Sequence, residues 1–184
     1  VVIPPDLTTF WTQANQQGFK PKIASVAKAI LFPIAVEALG PIGNNLSTEV
    51  WWSASHPFSS SLNGQSASEL ANGFSEATGR PWTQPIGFVH ALFEVAVDSI
   101  KRAEDPFDPD SLAEAIAAVN LDTIVGHVQF GGEGLPPAVA ANVSKTPLVG
   151  GQWRHQEDGS FELVIVENAA HPEIPLGGKM EAIE

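Results

Sequence analysis

Apolar and polar positions follow three regimes along this chain. In the first, Val1-Val2-Ile3 reads as a short strand turned by Pro4-Pro5-Asp6, with Asp6 or Thr8 placed to cap a helix. Residues 7–17 follow with Phe10, Trp11 and Ala14 near helical spacing, and Gly18 stands where a helix stops. Residues 22–26 read as a second strand, residues 33–39 as a helix opened by Pro33 and closed by Gly40, and residues 49–53 as a third strand. Strand and helix alternate, so the pattern predicts an α/β fold: a mostly parallel sheet in a three-layer arrangement with flanking helices.

The middle regime is helical. Residues 61–77 carry Leu62, Leu70 and Phe74 on one face, approached by the Ser59-Ser60-Ser61 hydroxyls and ended by Gly79. A longer helix starts at Thr83 or Gln84 and runs to Ala103, with Ile86, Val89, Phe93, Ala96, Val97 and Ile100 at a period of 3.6. Asp108-Pro109 opens a third helix. The tail returns to strand patterning at residues 123–130, then a Gly/Pro/Ala loop at 131–141. Residues 148–155 and 161–166 flank Gln156-Glu157-Asp158-Gly159-Ser160 as a hairpin. Residues 177–184 read as a loosely held end. The shift in rhythm divides the chain into 1–57, 58–122 and 123–184.

Composition narrows the partners. The chain has 184 residues, 43% of them hydrophobic, enough to build a core. Its formal charge of −12 argues against nucleic acid and against an anionic membrane surface. There is no cysteine, which excludes disulfides, thiolate metal sites and a Cys nucleophile. No apolar run reaches the roughly 18 residues of a membrane span, so no direct insertion is expected. The first residues carry no signal-peptide pattern. A strand already under way at Val1, without an initiator Met, leads us to expect a fragment or processed product.

Little in the chain carries chemistry. The five histidines are scattered, so no metal site is expected, and no cofactor motif is present. G-x-S-x-G is missing. His90 and Glu94 share a helix face at i, i+4, the basis of an enzyme reading, although an intrahelical contact is the plainer explanation. Trp51-Trp52 ends the third strand just before Pro57. Neighbouring strand residues face opposite ways, so one indole, Trp52, is assigned to a ligand wall and Trp51 to the core. His90, near Trp82 and Gln84, is either a satisfied helix histidine or a donor to a ligand. Lys28, alone in an apolar stretch, is either a snorkelling surface lysine or the counter-charge for a carboxylate. Asp6 is most simply a cap.

The order of segments resembles the C-terminal portion of a type I periplasmic solute-binding protein, of the branched-chain amino-acid, or extracellular ligand-binding receptor, group. The matching pieces are Val1-Val2-Ile3, Phe10-Trp11-Thr12-Gln13-Ala14 and Gly18-Phe19-Lys20-Pro21-Lys22. Gly87-Phe88-Val89-His90-Ala91 and Ile100-Lys101-Arg102-Ala103 follow, then Asp108-Pro109, residues 113–119, and Asn120-Leu121-Asp122-Thr123-Ile124-Val125-Gly126.

The resemblance implies two α/β lobes joined by three crossings, with a small-molecule solute between them and no chemistry performed. It implies a periplasmic or extracellular protein that docks on the membrane permease of an ABC importer, or a ligand-sensing receptor domain of the same fold. It also implies an absent N-terminal half, whose cut face would be covered by self-association or a partner chain. By position, ligand contacts fall at residues 4–6, 24–28, near Trp52 and at 84–88. Amino-acid-binding members place an acid after the second strand. This chain has Ser25-Val26-Ala27-Lys28 there, which points to an anionic, partly apolar or aromatic solute.

Overall fold

The computed structural model describes residues 3–132 and 134–184. Its helices are α1 Pro4–Gln16, α2 Pro33–Glu37, α3 Ala67–Thr78, α4 Pro85–Arg102, α5 Pro109–Ala117 and α6 Pro137–Ala140. The strands are β1 Ser47–Val50, β2 Asn120–Thr123, β3 Gly126–Gln129, β4 Val149–His155 and β5 Phe161–Glu167. Two compact units form, one from Val1–Trp51 with Leu148–Glu184, the other from Trp52–Pro147.

The first unit packs α1 and α2 around Leu7, Trp11, Ile30, Val36, Leu46, Trp153 and Phe161. Val1 and Val2 of the expected first strand lie outside the described residues. Ile3, not Asp6 or Thr8, is the N-cap of α1, because Pro4-Pro5 supplies the first helical residues. Proline has its φ set for a helix start and no N–H to satisfy there. Leu7 and Trp11, one turn apart, face inward, and the Trp11 indole donates to the Ile42 carbonyl at 2.7 Å. Gly18 ends the helix at a φ of +76°.

The sheet of this unit has the order β1-β4-β5 and is antiparallel throughout. This corrects the parallel ladder expected from the alternation. Among the described residues, parallel pairing is confined to the bridge Ser25–Ser47, where Ser47 N–H donates to Ala24 at 2.9 Å and Val26 N–H to Ser47 at 2.7 Å. The expected second strand goes no further, because the chain turns into a 3-10 helix at Lys28–Ile30. The β4–β5 hairpin forms as the sequence predicts, with Gly159 at a φ of +87°.

The C-terminal end is tied down, contrary to the expectation of a loose tail. Gln152, fully buried, donates to the Glu181 carbonyl at 2.9 Å and accepts the Glu181 N–H at 2.8 Å. Asn45 donates to Ala182 at 2.8 Å, and Ile183 N–H reaches Lys22 at 2.9 Å. Four hydrogen bonds to buried or backbone partners outweigh the polar composition of the segment.

In the second unit, α3 starts at Ala67 rather than residue 61. Ser66 and Glu69 form a reciprocal capping box, and Gly79 closes the helix in the left-handed region. Residues 120–129 make a hairpin, β2–β3, instead of the single strand expected from residue 123 onward. Gly126, at a φ of +101°, makes the tight reversal after the buried Ile124-Val125. The short helix α6 interrupts the expected loop at 131–141.

Helix α4 has nearly the expected bounds but presents the other face to the core. Gly87, Ala91, Glu94 and Ser99 are buried, whereas Val89, Leu92, Phe93 and Ile100 are exposed. The cause is Trp52: it fills the space beneath the helix, and a Cβ on Gly87 would lie 2.4 Å from its indole. Only small residues let the backbone pass that close.

Candidate functional site

In the first unit, Lys28 occupies an exposed position on the 3-10 turn that follows the Ser25 bridge. No acid stands in residues 24–28. Asp6 is exposed in the first turn of α1, where its carboxylate faces the positive end of the helix dipole.

The second unit brings Trp52, Trp82, Gln84 and His90 around the start of α4. Trp52 is fully buried, so it is a core residue and not the exposed wall assigned to it above. Strand β1 ends at Val50, before both tryptophans, and the alternation rule no longer governs them. The Trp52 indole donates to the Ile124 carbonyl at 3.1 Å. Trp82, half-buried, stands edge-on to it, with centroids 5.8 Å apart and planes at 89°. Gln84 is buried at the N-cap position of α4.

His90 and Glu94 do not hydrogen-bond to each other, either as the acid and base of the enzyme reading or as the plainer intrahelical contact. His90 Nε2 lies 2.7 Å from Ser60 Oγ. Glu94, with no exposed surface, accepts three hydrogen bonds: Oε1 from the Ser61 N–H at 2.6 Å and the Ser61 hydroxyl at 2.9 Å, Oε2 from the Ile124 N–H at 3.0 Å. A buried carboxylate holding three donors is an anchor for two chain segments, and its burial keeps it from meeting a substrate as a base. Ser60 is also committed, since its hydroxyl accepts the Leu62 N–H at 3.1 Å. The serines read as helix caps therefore serve α4 instead.

Sequence reasoning missed His56. It is 4% exposed, and its Nδ1 accepts the Ser53 N–H at 3.1 Å and pairs with the Ser53 hydroxyl at 2.9 Å. A backbone N–H can only donate, so Nδ1 is the acceptor and Nε2 carries the proton of the neutral ring. Burial pushes its pKa down from 6.5 to about 4. The Ser-x-x-His spacing was the available signal. Among the described residues, no group of three or more His, Asp or Glu is placed to hold a metal ion. No helix among them is long and apolar enough to cross a membrane.

A family model described as periplasmic binding protein matches residues 1–144. No curated protein matches the sequence. Among solved structures, the chain is similar to a leucine binding protein, LivK, from Thermotoga maritima, with a TM-score of 0.67 and 18% identity, covering 91% of this chain and 43% of that one. It is similar to the branched-chain amino acid transporter substrate binding protein LivJ from Streptococcus pneumoniae, solved with isoleucine, with a TM-score of 0.63 and 10% identity over 90% of this chain and 43% of that one. A solute binding protein of an ABC transporter from Rhodopseudomonas palustris, in complex with 3,4-dihydroxy benzoic acid, gives 0.63 and 13% over 91% and 43%. The chain therefore spans less than half the length of these solved relatives. At such identities the likeness shows the fold: α/β, of the type I periplasmic binding protein kind.

Proposed function

Since the chain belongs to the periplasmic binding protein family, we propose that it is part of the extracytoplasmic solute-binding component of an ABC importer, binding its solute without making or breaking a bond. The carrying observation is the match of residues 1–144 to the family, together with a fold shared with substrate-binding proteins of ABC transporters. The commitment of Glu94 to three donors supports binding over acid–base chemistry.

The proposed solute is a small organic anion with an apolar or aromatic body. In the first unit, exposed Lys28 supplies the counter-charge, and no neighbouring acid is available for an ammonium group. In the second unit, Trp82 supplies apolar surface, with buried Trp52 and Gln84 behind it, while half-buried His90 is the proposed polar contact. Asp6 is the proposed acceptor for a solute hydroxyl. A relative of this fold that holds 3,4-dihydroxy benzoic acid sets a precedent for such a ligand, as one that holds isoleucine does for an amino acid. The importer's permease is the proposed docking partner, and the periplasm or cell exterior the proposed location.

A thermal-shift screen of the protein against aromatic and aliphatic carboxylates, followed by calorimetry, tests the reading. Aromatic acids should raise the melting temperature and be recovered unchanged. Binding of leucine but of no carboxylate lacking an amine would refute the assignment of the solute, and turnover would refute the binding-only role.

A further inference from the structure

The chain contains two Asn-Gly pairs, Asn63-Gly64 and Asn72-Gly73. Such a pair carries its own chemistry. The glycine peptide nitrogen can attack the side-chain amide carbon of the asparagine, because glycine has no Cβ to hinder the approach. The sequence makes the two pairs alike. Exposure does not separate them either: all four residues are exposed, and a Cβ on Gly64 or on Gly73 would meet nothing within 4 Å.

The backbone separates them. Asn63-Gly64 lies in the loop between Ser60 and α3, with Gly64 at a φ of +75°. The Asn63 side chain folds forward along the chain: its Oδ1 accepts the Gln65 N–H at 3.0 Å, which sets the amide beside the Gly64 peptide. That donor also polarises the amide carbonyl and stabilises its oxygen as negative charge develops there during attack. The attacking Gly64 nitrogen is held by a bond to the Ser60 carbonyl at 2.9 Å, so only an exposed loop has to fray to free it. Asn72-Gly73 stands inside α3, between the Ser66–Glu69 capping box and Gly79. Ring closure there needs Asn72 to leave the helical conformation, which breaks the hydrogen-bond ladder around it.

We propose that Asn63 is a self-modifying site that deamidates in the folded protein, while α3 protects Asn72. The Gly64 nitrogen gives its proton to water or hydroxide and bonds to Asn63 Cγ. The Cγ–NH₂ bond breaks, and its nitrogen leaves as ammonia. Water then opens the cyclic imide at either carbonyl, leaving aspartate or isoaspartate and one new negative charge. Isoaspartate also adds a methylene to the main chain of a loop fixed at both ends, by Glu94 on Ser61 and by the capping box at Ser66. This stands independently of the solute-binding reading.

The protein is held in warm, mildly alkaline buffer, folded or in guanidinium chloride, and cleaved after glutamate, so that Glu69 separates the two sites for mass spectrometry. In guanidinium chloride both asparagines should gain about 1 Da at comparable rates. In the folded protein Asn63 should convert about tenfold or more faster than Asn72, partly to isoaspartate. Asn63→Ser should abolish most ammonia release from the folded chain. Asn63 remaining intact in the folded protein while the denatured control converts, or Asn72 keeping pace with it, would overturn the proposal.

Discussion

Glu94 Oε1, on a side chain with no solvent-exposed surface, accepts the Ser61 backbone N–H at 2.6 Å inside the second unit. Because Oε2 takes the Ile124 N–H at 3.0 Å, one side chain of α4 fixes both the approach to α3 and the turn between β2 and β3.

Glu94→Ala strands three donors and is expected to cost about 3 kcal/mol or more of stability. Glu94→Gln keeps the volume but replaces one acceptor oxygen by an NH₂ that faces a donor, so it should recover only part of the loss. Urea denaturation of the three proteins checks the order: wild type, then glutamine, then alanine.

Gly87→Ala tests the packing of α4 on Trp52. Helix propensity alone predicts a gain of about 1 kcal/mol. The added methyl, 2.4 Å from the indole, forces the helix or ring to move and should make the net effect destabilising by about 1–3 kcal/mol. Phe93→Ser on the exposed face should stay within about 0.5 kcal/mol of wild type. Thermal melts that ranked these two substitutions the other way would contradict the packing described for α4.

His56 sets an acid dependence. Folded, its imidazole takes a proton only near pH 4; unfolded, it does so near 6.5. Between these values the unfolded chain holds more protons, so the stability present above 6.5 is lost as pH falls toward 4. The full effect is about 3 kcal/mol. His56→Gln removes this contribution, and the difference in unfolding free energy between the two proteins, followed against pH, should change across that window and be flat above it.

Lys28→Ala should weaken binding of an aromatic carboxylate by about tenfold through loss of one charge-assisted hydrogen bond. The side chain is exposed, so the unliganded melting temperature should not change. Calorimetry with the variant supplies the comparison, and equal affinities would remove Lys28 from the solute contacts.

The elements best legible in the sequence are those with local punctuation. Asp108-Pro109 sets α5, Gly159 sets the β4–β5 hairpin, and Pro85 with a long apolar period sets α4. What was misread depends on distant partners. The apolar period of α4 marks one helix face, yet Trp52, thirty-five residues before Gly87, makes the opposite face the buried one. The one-turn spacing of His90 and Glu94 points to an intrahelical contact. The donors to Glu94 come from Ser61 and Ile124, which no i, i+4 rule can connect to it.

By itself the sequence determined the α/β class, the starts of α2, α4 and α5, and the order of segments that marks the family. These rest on backbone rules that act over a few residues: a proline that cannot donate, a glycine that accepts positive φ, a period that matches one helix face. Tertiary structure alone decided the antiparallel sheet, the anchored C-terminal end, and the burial of Trp52 rather than its display. Each of those depends on hydrogen bonds or packing between residues far apart in the chain, and the local pattern of residues is the same whether or not such partners arrive.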